Sequence, residues 1–315
     1  MQSPTIQTCP VCFSTEVRRF CEVGDRDFEE RCWEVWKCST CRYGWTRPTP
    51  TPSEIAGYYS LDYLGNVEQT LQDYANQKLQ GTRSWKEYLD MAAIVERFRS
   101  EGSLLDVGCA NGLFLLALDP QPWRRVGIDV VSESVEVIQR CVPDLRVLPG
   151  DIYQSDLLPG SFDVITFWHV LEHLFEPQRV LERALTLLKP GGLVFISVPN
   201  FDSLQAGLFR HYWWALDTPR HLHHFSPRSL EKLLVDAGLR PLKNLLARRH
   251  SFHPLKHSLL RWSEATFASR FPYYALKPTL FALLLVERLA GRWGNLTTVA
   301  QKPGASLQGI GQFEG

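Results

Sequence analysis

The stretch that decides the fold is Leu104-Leu105-Asp106-Val107-Gly108-Cys109-Ala110-Asn111-Gly112. An apolar run closes on an acid, a turn with two glycines follows, and residues 113–118 then take up helical spacing. Gly108 and Gly112 carry no Cβ, so the backbone there can approach a ligand closely. The helix that opens near Gly112 presents free N–H groups. Outward from this point the pattern repeats. Residues 126–128, 145–148, 164–167 and 193–198 are further apolar runs, and residues 134–141 and 178–188 between them read as helices. Apolar strands alternating with helices predict a parallel sheet covered on both faces. Lys189-Pro190-Gly191-Gly192 stops the helix before the fifth strand. Ser226-Pro227 opens a later helix as N-cap and first-turn proline, and Gly238 ends it. Upstream, residues 54–100 read as helical, with Trp85, Tyr88, Leu89, Ala92, Ile94, Val95 and Phe98 recurring at spacings near three and four.

Acids stand at the ends of these strands. Asp129 ends the second, where a carboxylate can hold ribose hydroxyls. Asp151, after Gly150, follows the third, where it can accept from an adenine amino group. The turn at Gly108 lacks the G-x-G spacing that the pyrophosphate of a nicotinamide dinucleotide requires. Together, Asp106, Gly108, Gly112, Asp129, Asp151 and the LLKPGG run (187–192) resemble the class I S-adenosylmethionine-dependent methyltransferases over about residues 88–303. The resemblance implies an α/β fold: a Rossmann-like, seven-stranded, mostly parallel sheet with helices on both faces. Residues 239–248 are then the sixth strand and 296–301 the seventh, inserted antiparallel. It also implies methionine and ribose contacts from the glycine turn, ribose contact by Asp129 and adenine contact by Asp151. Asp106, Gly108, Cys109, Gly112, Asp129, Asp151, Ile152 and Trp168 are the cofactor-binding candidates. Ala110 stands where the family more often has glycine. A folded but inactive version of the same fold is the alternative.

The first 47 residues are of another kind. Of eight cysteines, four form two CxxC pairs, Cys9/Cys12 and Cys38/Cys41, with 25 residues between them. Two such knuckles supply the four soft ligands of a tetrahedral Zn²⁺ site. Four thiolates leave no position open for water, so the expected zinc is structural. Cys21 and Cys32 are expected to pack. The competing reading, a redox CxxC, needs a thioredoxin-like βαβ context that is absent. The expected organisation is a zinc-ribbon module (1–47), a linker with a Pro-rich break at Arg47–Ser53 and a helical lead-in (48–100), a methyltransferase domain (101–303) with a helical insertion (250–295), and a tail (304–315).

The acceptor side is read from histidines. His169-Val170-Leu171-Glu172-His173 fits the H-x-x-E-H pattern of inverted zinc metalloproteases, but it follows a strand at the carboxyl edge of the sheet. In methyltransferases of the resembled type, a very similar stretch lines the cofactor and substrate cleft. A second group lies in Pro219-Arg220-His221-Leu222-His223-His224-Phe225. A histidine can take a proton from an acceptor near neutral pH, which makes His169, His221, His223 and His224 the base candidates; each can equally serve only to hydrogen-bond its loop. The PRHLHHFS run resembles zinc-ribbon-bearing bacterial methyltransferases of glycan and natural-product pathways, which implies a small-molecule, sugar or lipid-linked glycan acceptor.

Two rival readings are an RNA methyltransferase whose ribbon binds nucleic acid and a non-enzymatic scaffold. Residues 1–50 hold seven basic and seven acidic groups, and this neutrality argues against a nucleic-acid footprint. Charge is uneven elsewhere: residues 240–303 carry +9 and residues 1–239 carry −8. The basic, aromatic insertion 250–295 is expected to cap the cleft, form a dimer face, or lie peripherally on anionic lipid. No pattern fixes an oligomeric state. The opening residues show no apolar signal region, and the longest apolar run, 279–286, is far short of the ~20 residues that span a bilayer. A cytoplasmic protein is expected, peripheral at the membrane surface if the insertion meets lipid.

Overall fold

Strands buried on both faces must be apolar at consecutive positions, and the runs above meet that demand: Leu104, Leu105, Val164, Ile165, Phe167, Val194, Phe195, Ile196 and Val198 are fully inaccessible. Each such side chain contributes roughly 1.5–3 kcal/mol relative to exposure. A computed structural model describes residues 8–25, 31–59, 65–153, 156–245 and 252–304.

The chain begins with β1 (Val17–Gly24), β2 (Cys32–Cys38) and β3 (Gly44–Arg47). Three helices follow: α1 (Pro52–Ala56), α2 (Val67–Ala75) and α3 (Arg83–Glu96). The alternating part runs β4 (Gly102–Val107), α4 (Leu113–Ala117), β5 (Trp123–Asp129), α5 (Ser132–Cys141) and β6 (Arg146–Pro149). It continues with β7 (Phe162–Trp168), a 3₁₀ turn (Leu171–His173), α6 (Pro177–Leu187), β8 (Leu188–Pro199) and α7 (Leu204–Phe209). Then come β9 (His223–His224), α8 (Pro227–Asp236) and β10 (Arg240–Leu245). The helices α9 (Phe252–Phe267), α10 (Phe271–Leu276) and α11 (Thr279–Ala290) precede β11 (Asn295–Gln301).

The larger sheet has seven strands in the order β10-β11-β8-β7-β4-β5-β6. Its pairs are parallel except at β11, which runs antiparallel to both β8 and β10. This is the Rossmann-like sheet expected from the sequence. Strand order reverses at β4, with β5 on one side and β7 on the other, so a crevice opens at the carboxyl ends of these strands.

Three expectations need correction, and the sixth strand and the tail are only partly described. The Lys189–Gly192 run does follow the end of α6, but it lies inside β8 as an irregularity: pairing with β7 jumps from Leu188 to Leu193. The Pro-rich break contains a helix, α1, because Pro52 at its first turn has a φ already suited to the helix, and Thr51 and Glu54 close a capping box. The sixth strand is described only as Arg240–Leu245; residues 246–251, and residues 305–315 of the expected tail, lie outside the described residues.

The third correction concerns the ribbon. A boundary at residue 47 cuts through a sheet, since β1-β2-β3 is completed by β9, with Gly44 opposite His224 and Trp45 opposite His223. Cys9, Cys38, Cys41, Tyr43 and Trp45 share one apolar cluster with Leu105, Ile165 and Phe225. Ser226 Oγ donates to Cys41 O at 2.7 Å, and Lys37 Nζ donates to Phe201 O at 3.3 Å. Gly44 is required there because a Cβ would run into the Phe201 ring. The ribbon is thus built into the body.

Candidate active site and thiolate cluster

A cavity of about 810 Å³ occupies the crevice. That volume falls within the roughly 300–1,000 Å³ typical of small-molecule sites. Its walls come from the ends of four strands: Val107, Gly108 and Ala110; Ile128–Val131; Gly150–Tyr153; and Trp168–Val170. Helix α1 and the residues after it close the remaining side through Ile55, Ala56 and Tyr59. This wall was not foreseen. The T-P-S-E capping box at Thr51–Glu54 is the signal that marks it.

The glycine turn is shaped by local constraint. Gly108 has φ +72°, and a Cβ there would stand 2.5 Å from Val170 Cγ2. Ala110 also takes a left-handed φ of +50°, which explains why glycine is the commoner residue at such a position. Its N–H donates to Asp129 Oδ2 at 2.8 Å, while Val131 N donates to Oδ1 at 2.9 Å. Asp129 therefore braces the turn from the end of β5 and faces the cavity. Burial pushes its carboxyl above the ordinary value, and the backbone N–H groups oppose that push.

Of the other cofactor candidates, Gly108, Asp151, Ile152 and Trp168 line the same cavity. Asp151 Oδ1 accepts from Tyr153 N at 2.7 Å. The indole N–H of Trp168 is buried with no acceptor. Asp106, Cys109 and Gly112 do not face the cavity. Asp106 is buried beneath the turn and accepts from Thr166 Oγ1 at 2.6 Å; burial raises its carboxyl to about 8. Cys109 turns its sulfur toward Gly127, where a Cβ would meet it at 2.7 Å, and burial pushes the thiol far up. Gly112, at φ +74°, caps α4. These three shape the turn from behind.

The histidines separate in the same way. His169 lines the cavity at the end of β7, in a left-handed conformation at φ +56°. Its N–H donates to Ser197 O at 2.8 Å, and its Nδ1 lies 3.3 Å from Glu172 Oε1. Glu172 is wholly buried; desolvation acts upward on its carboxyl, but the hydrogen bond with His169 and the imidazoles around it hold it below the ordinary glutamate range. His173 also lines the cavity, and burial brings it down to about 4. The other base candidates stand outside the cavity. His224 is buried in β9, hydrogen bonded to Thr46 Oγ1 at 3.1 Å and packed on Phe201. His223 bonds Tyr43 OH and lies 2.7 Å from Leu174 O. Burial lowers both imidazoles, His223 to about 4. They knit the ribbon to the body, and the geometry withdraws His224 as a base. His221 is buried against Ala215 O at 2.9 Å.

At the ribbon, the ligand sulfurs of Cys9, Cys12, Cys38 and Cys41 lie within 4.8 Å of one another. Cys9 and Cys41 are 3.5 Å apart, and Cys12 and Cys38 are 3.6 Å apart. A zinc–sulfur bond of about 2.3 Å in a tetrahedron places sulfurs about 3.8 Å apart. The cluster fits that ion. Its closest sulfur pair polarises: Cys9 is drawn down to about 5 by Cys41, whose own thiol is pushed up.

A sequence profile described as methyltransferase domain matches residues 78–244, more than half of the chain. The chain belongs to this methyltransferase domain family. The match begins in the helical lead-in and ends in β10, so it takes in every cavity-lining strand end. Among curated relatives, a ubiquinone biosynthesis O-methyltransferase of Chromobacterium violaceum is 32% identical over 149 residues, 43% of this chain and 63% of that protein. Another of the same name, from Albidiferax ferrireducens, is 36% identical over 104 residues, 31% of this chain and 41% of that protein. The chain thus spans between two fifths and two thirds of these relatives' length. Solved structures similar to it include 1,6-didemethyltoxoflavin N1-methyltransferase of Burkholderia thailandensis, with a TM-score of 0.46, 17% identity and 86% and 96% of the two chains covered. Phosphoethanolamine N-methyltransferase 2 of Haemonchus contortus gives a TM-score of 0.47 at 17% identity, covering 70% of this chain and 53% of that one.

Proposed function

We propose that the protein transfers a methyl group from S-adenosylmethionine to an oxygen of a small-molecule, sugar or lipid-linked glycan acceptor. The observation that carries this reading is the meeting, in one cavity, of Asp129 and Asp151 with His169, whose Nδ1 is engaged from behind by buried Glu172. The acids suit the cofactor's ribose and adenine. Adenosylmethionine supplies the electrophilic methyl group when bound there. The chain's own residues align the acceptor and take its proton. Buried Glu172 engages His169 Nδ1 and orients the imidazole at the cavity wall, where it would take the acceptor hydroxyl's proton as the methyl group passes from the sulfonium sulfur to the oxygen and S-adenosylhomocysteine is left. The oxygen assignment draws support from the relatives named O-methyltransferases.

The thiolate cluster holds a structural Zn²⁺ in this reading, clamping the sheet that β9 completes. The insertion meets the surface of an anionic membrane. Phe281, Leu285 and Leu289 follow one another at i, i+4, i+8 on α11, and Phe281 and Leu289 are 71% and 80% exposed. Phe271 on α10 is exposed as well, with Lys277, Arg288 and Arg292 nearby in sequence. An apolar stripe flanked by cations is the pattern of an interface-lying helix. No helix among the described residues is long and apolar enough to cross a membrane.

The test is methyl-labelled adenosylmethionine incubated with the protein and fractionated bacterial extract. Label in base-stable form in small metabolites, lipid or glycan is expected. Label in RNA, or none above a no-enzyme control, contradicts the reading.

A further inference from the structure

The 3₁₀ turn Leu171–His173 and the loop before β9 bring Glu172, His173 and His221 together, with a ligand atom of each within 4.8 Å of the others. Glu172 is fully buried; its Oε1 is engaged by His169, and its Oε2 has no hydrogen-bond partner at all. A buried carboxylate oxygen left without a donor is costly unless something positive meets it. The two imidazoles are set to supply the rest of a coordination sphere. His221 Nδ1 lies 2.9 Å from Ala215 O, and His173 Nδ1 lies 3.1 Å from Arg220 O and 2.7 Å from Tyr59 OH. A carbonyl only accepts, so each Nδ1 carries the proton and each Nε2 keeps its lone pair. Backbone carbonyls holding Nδ1–H in this way are the usual outer partners of metal-bound histidines. The rings meet edge to face with centroids 4.6 Å apart. Nearby titratable groups include Asp217, whose Oδ2 is 3.9 Å from His221 Nε2, Arg220, which is paired with Asp217 at 2.9 Å, and the imidazoles of His169, His223 and His224.

We propose that Glu172 Oε2 and the Nε2 atoms of His173 and His221 form a binding site for one divalent first-row transition cation. Two imidazoles and one carboxylate are a borderline donor set that suits such ions, and three protein ligands leave coordination positions open. The site is chemically distinct from the thiolate cluster. It adjoins the cavity, because His173 is a wall residue of it. An ion there would be reached from the cavity by water or by an acceptor oxygen, and Glu172 would couple it to His169. The proposal goes beyond the methyl-transfer reading and does not depend on which acceptor is used.

The experiment is titration of metal-free full-length protein with Co²⁺, followed by absorption spectroscopy and by metal analysis after desalting. Thiolate-bound cobalt gives intense sulfur-to-metal charge transfer in the near ultraviolet; nitrogen- and oxygen-bound cobalt gives only weak ligand-field bands. Two ions per chain are expected, one of each spectral type. His221→Gln and Glu172→Gln should each lose the second ion and keep the charge-transfer band, whereas Cys38→Ser should do the reverse. Saturation of the wild-type protein at one ion, with charge transfer only, overturns the proposal, as does a second ion that survives His221→Gln. Should Glu172→Gln fail to fold, as loss of both bands and of the native circular dichroism would reveal, His221→Gln and the wild-type stoichiometry decide. Methyl transfer is not among the readouts, so a failure here is separate from a failure of the proposed reaction.

Discussion

Two residues, one on the cavity wall and one buried beneath the glycine turn, each make a measurable demand. His169 is the cavity histidine whose Nδ1 is engaged by a buried carboxylate. If it takes the acceptor's proton, His169→Gln should lower kcat by about 10²–10⁴-fold, the usual worth of a positioned general base, and leave adenosylmethionine affinity within about twofold. An equal loss in affinity would make His169 a cofactor contact instead. Asp106 titrates out of place, at about 8 against an ordinary 3.8. A raised folded value means that the native protein holds a proton the unfolded chain has released. The contribution to stability is therefore full below about pH 4 and is lost as pH rises through about 8. Asp106→Asn should flatten this fall, so that between pH 6.5 and 8 the variant gains at least about 1 kcal/mol relative to wild type in denaturant titrations. A variant that tracks the wild-type slope would contradict the buried neutral acid. Both residues were legible from position, one at each strand end. What the sequence could not give is direction: Cys109 and Asp106 flank a turn whose cavity side is settled only by the packing of Gly108 on Val170 and Cys109 against Gly127.

At the scale of elements, the parallel strands were legible because burial on both faces leaves an unbroken apolar run, which is a local signal. β9 was not. It is two residues long, and it exists only because β3, far away in sequence, offers an unpaired edge. The same distance hid the structural role of His223 and His224, whose partners Tyr43 and Thr46 lie in the ribbon. Helix α1 was hidden by prolines that break a helix interior but favour its first turn. Because β9 completes the ribbon sheet, metal loss should reach beyond residue 47. If the thiolate cluster holds zinc as proposed, Cys38→Ser should lose that ion and deprotect amides of residues 221–226 as well as 32–47 in hydrogen exchange. Exchange confined to the first 47 residues would restore the picture of a separate module.

At the scale of the whole molecule, the charge asymmetry and the exposed stripe of α11 lie in one region. Each basic residue near an anionic leaflet contributes about 1 kcal/mol, and salt screens the attraction. The protein should co-sediment with anionic vesicles at low salt, release as salt rises, and ignore neutral vesicles. Phe281→Ser with Leu289→Ser should abolish sedimentation without altering cofactor binding. Protein that remains in the supernatant with anionic vesicles at low salt would instead make the insertion a cap over a dissolved acceptor. All of this depends on the cleft between β4, β5, β6 and β7 holding adenosylmethionine through Asp129. Calorimetric titration of the wild-type protein and Asp129→Asn with adenosylmethionine tests that most directly. The substitution keeps the side-chain shape and removes the charge that would strengthen the proposed hydrogen bonds to ribose hydroxyls, worth roughly 1.5–3 kcal/mol each. One site per chain in the wild type and an affinity at least tenfold weaker in the variant are predicted; no binding to the wild type, or equal affinity in the two, would contradict the account.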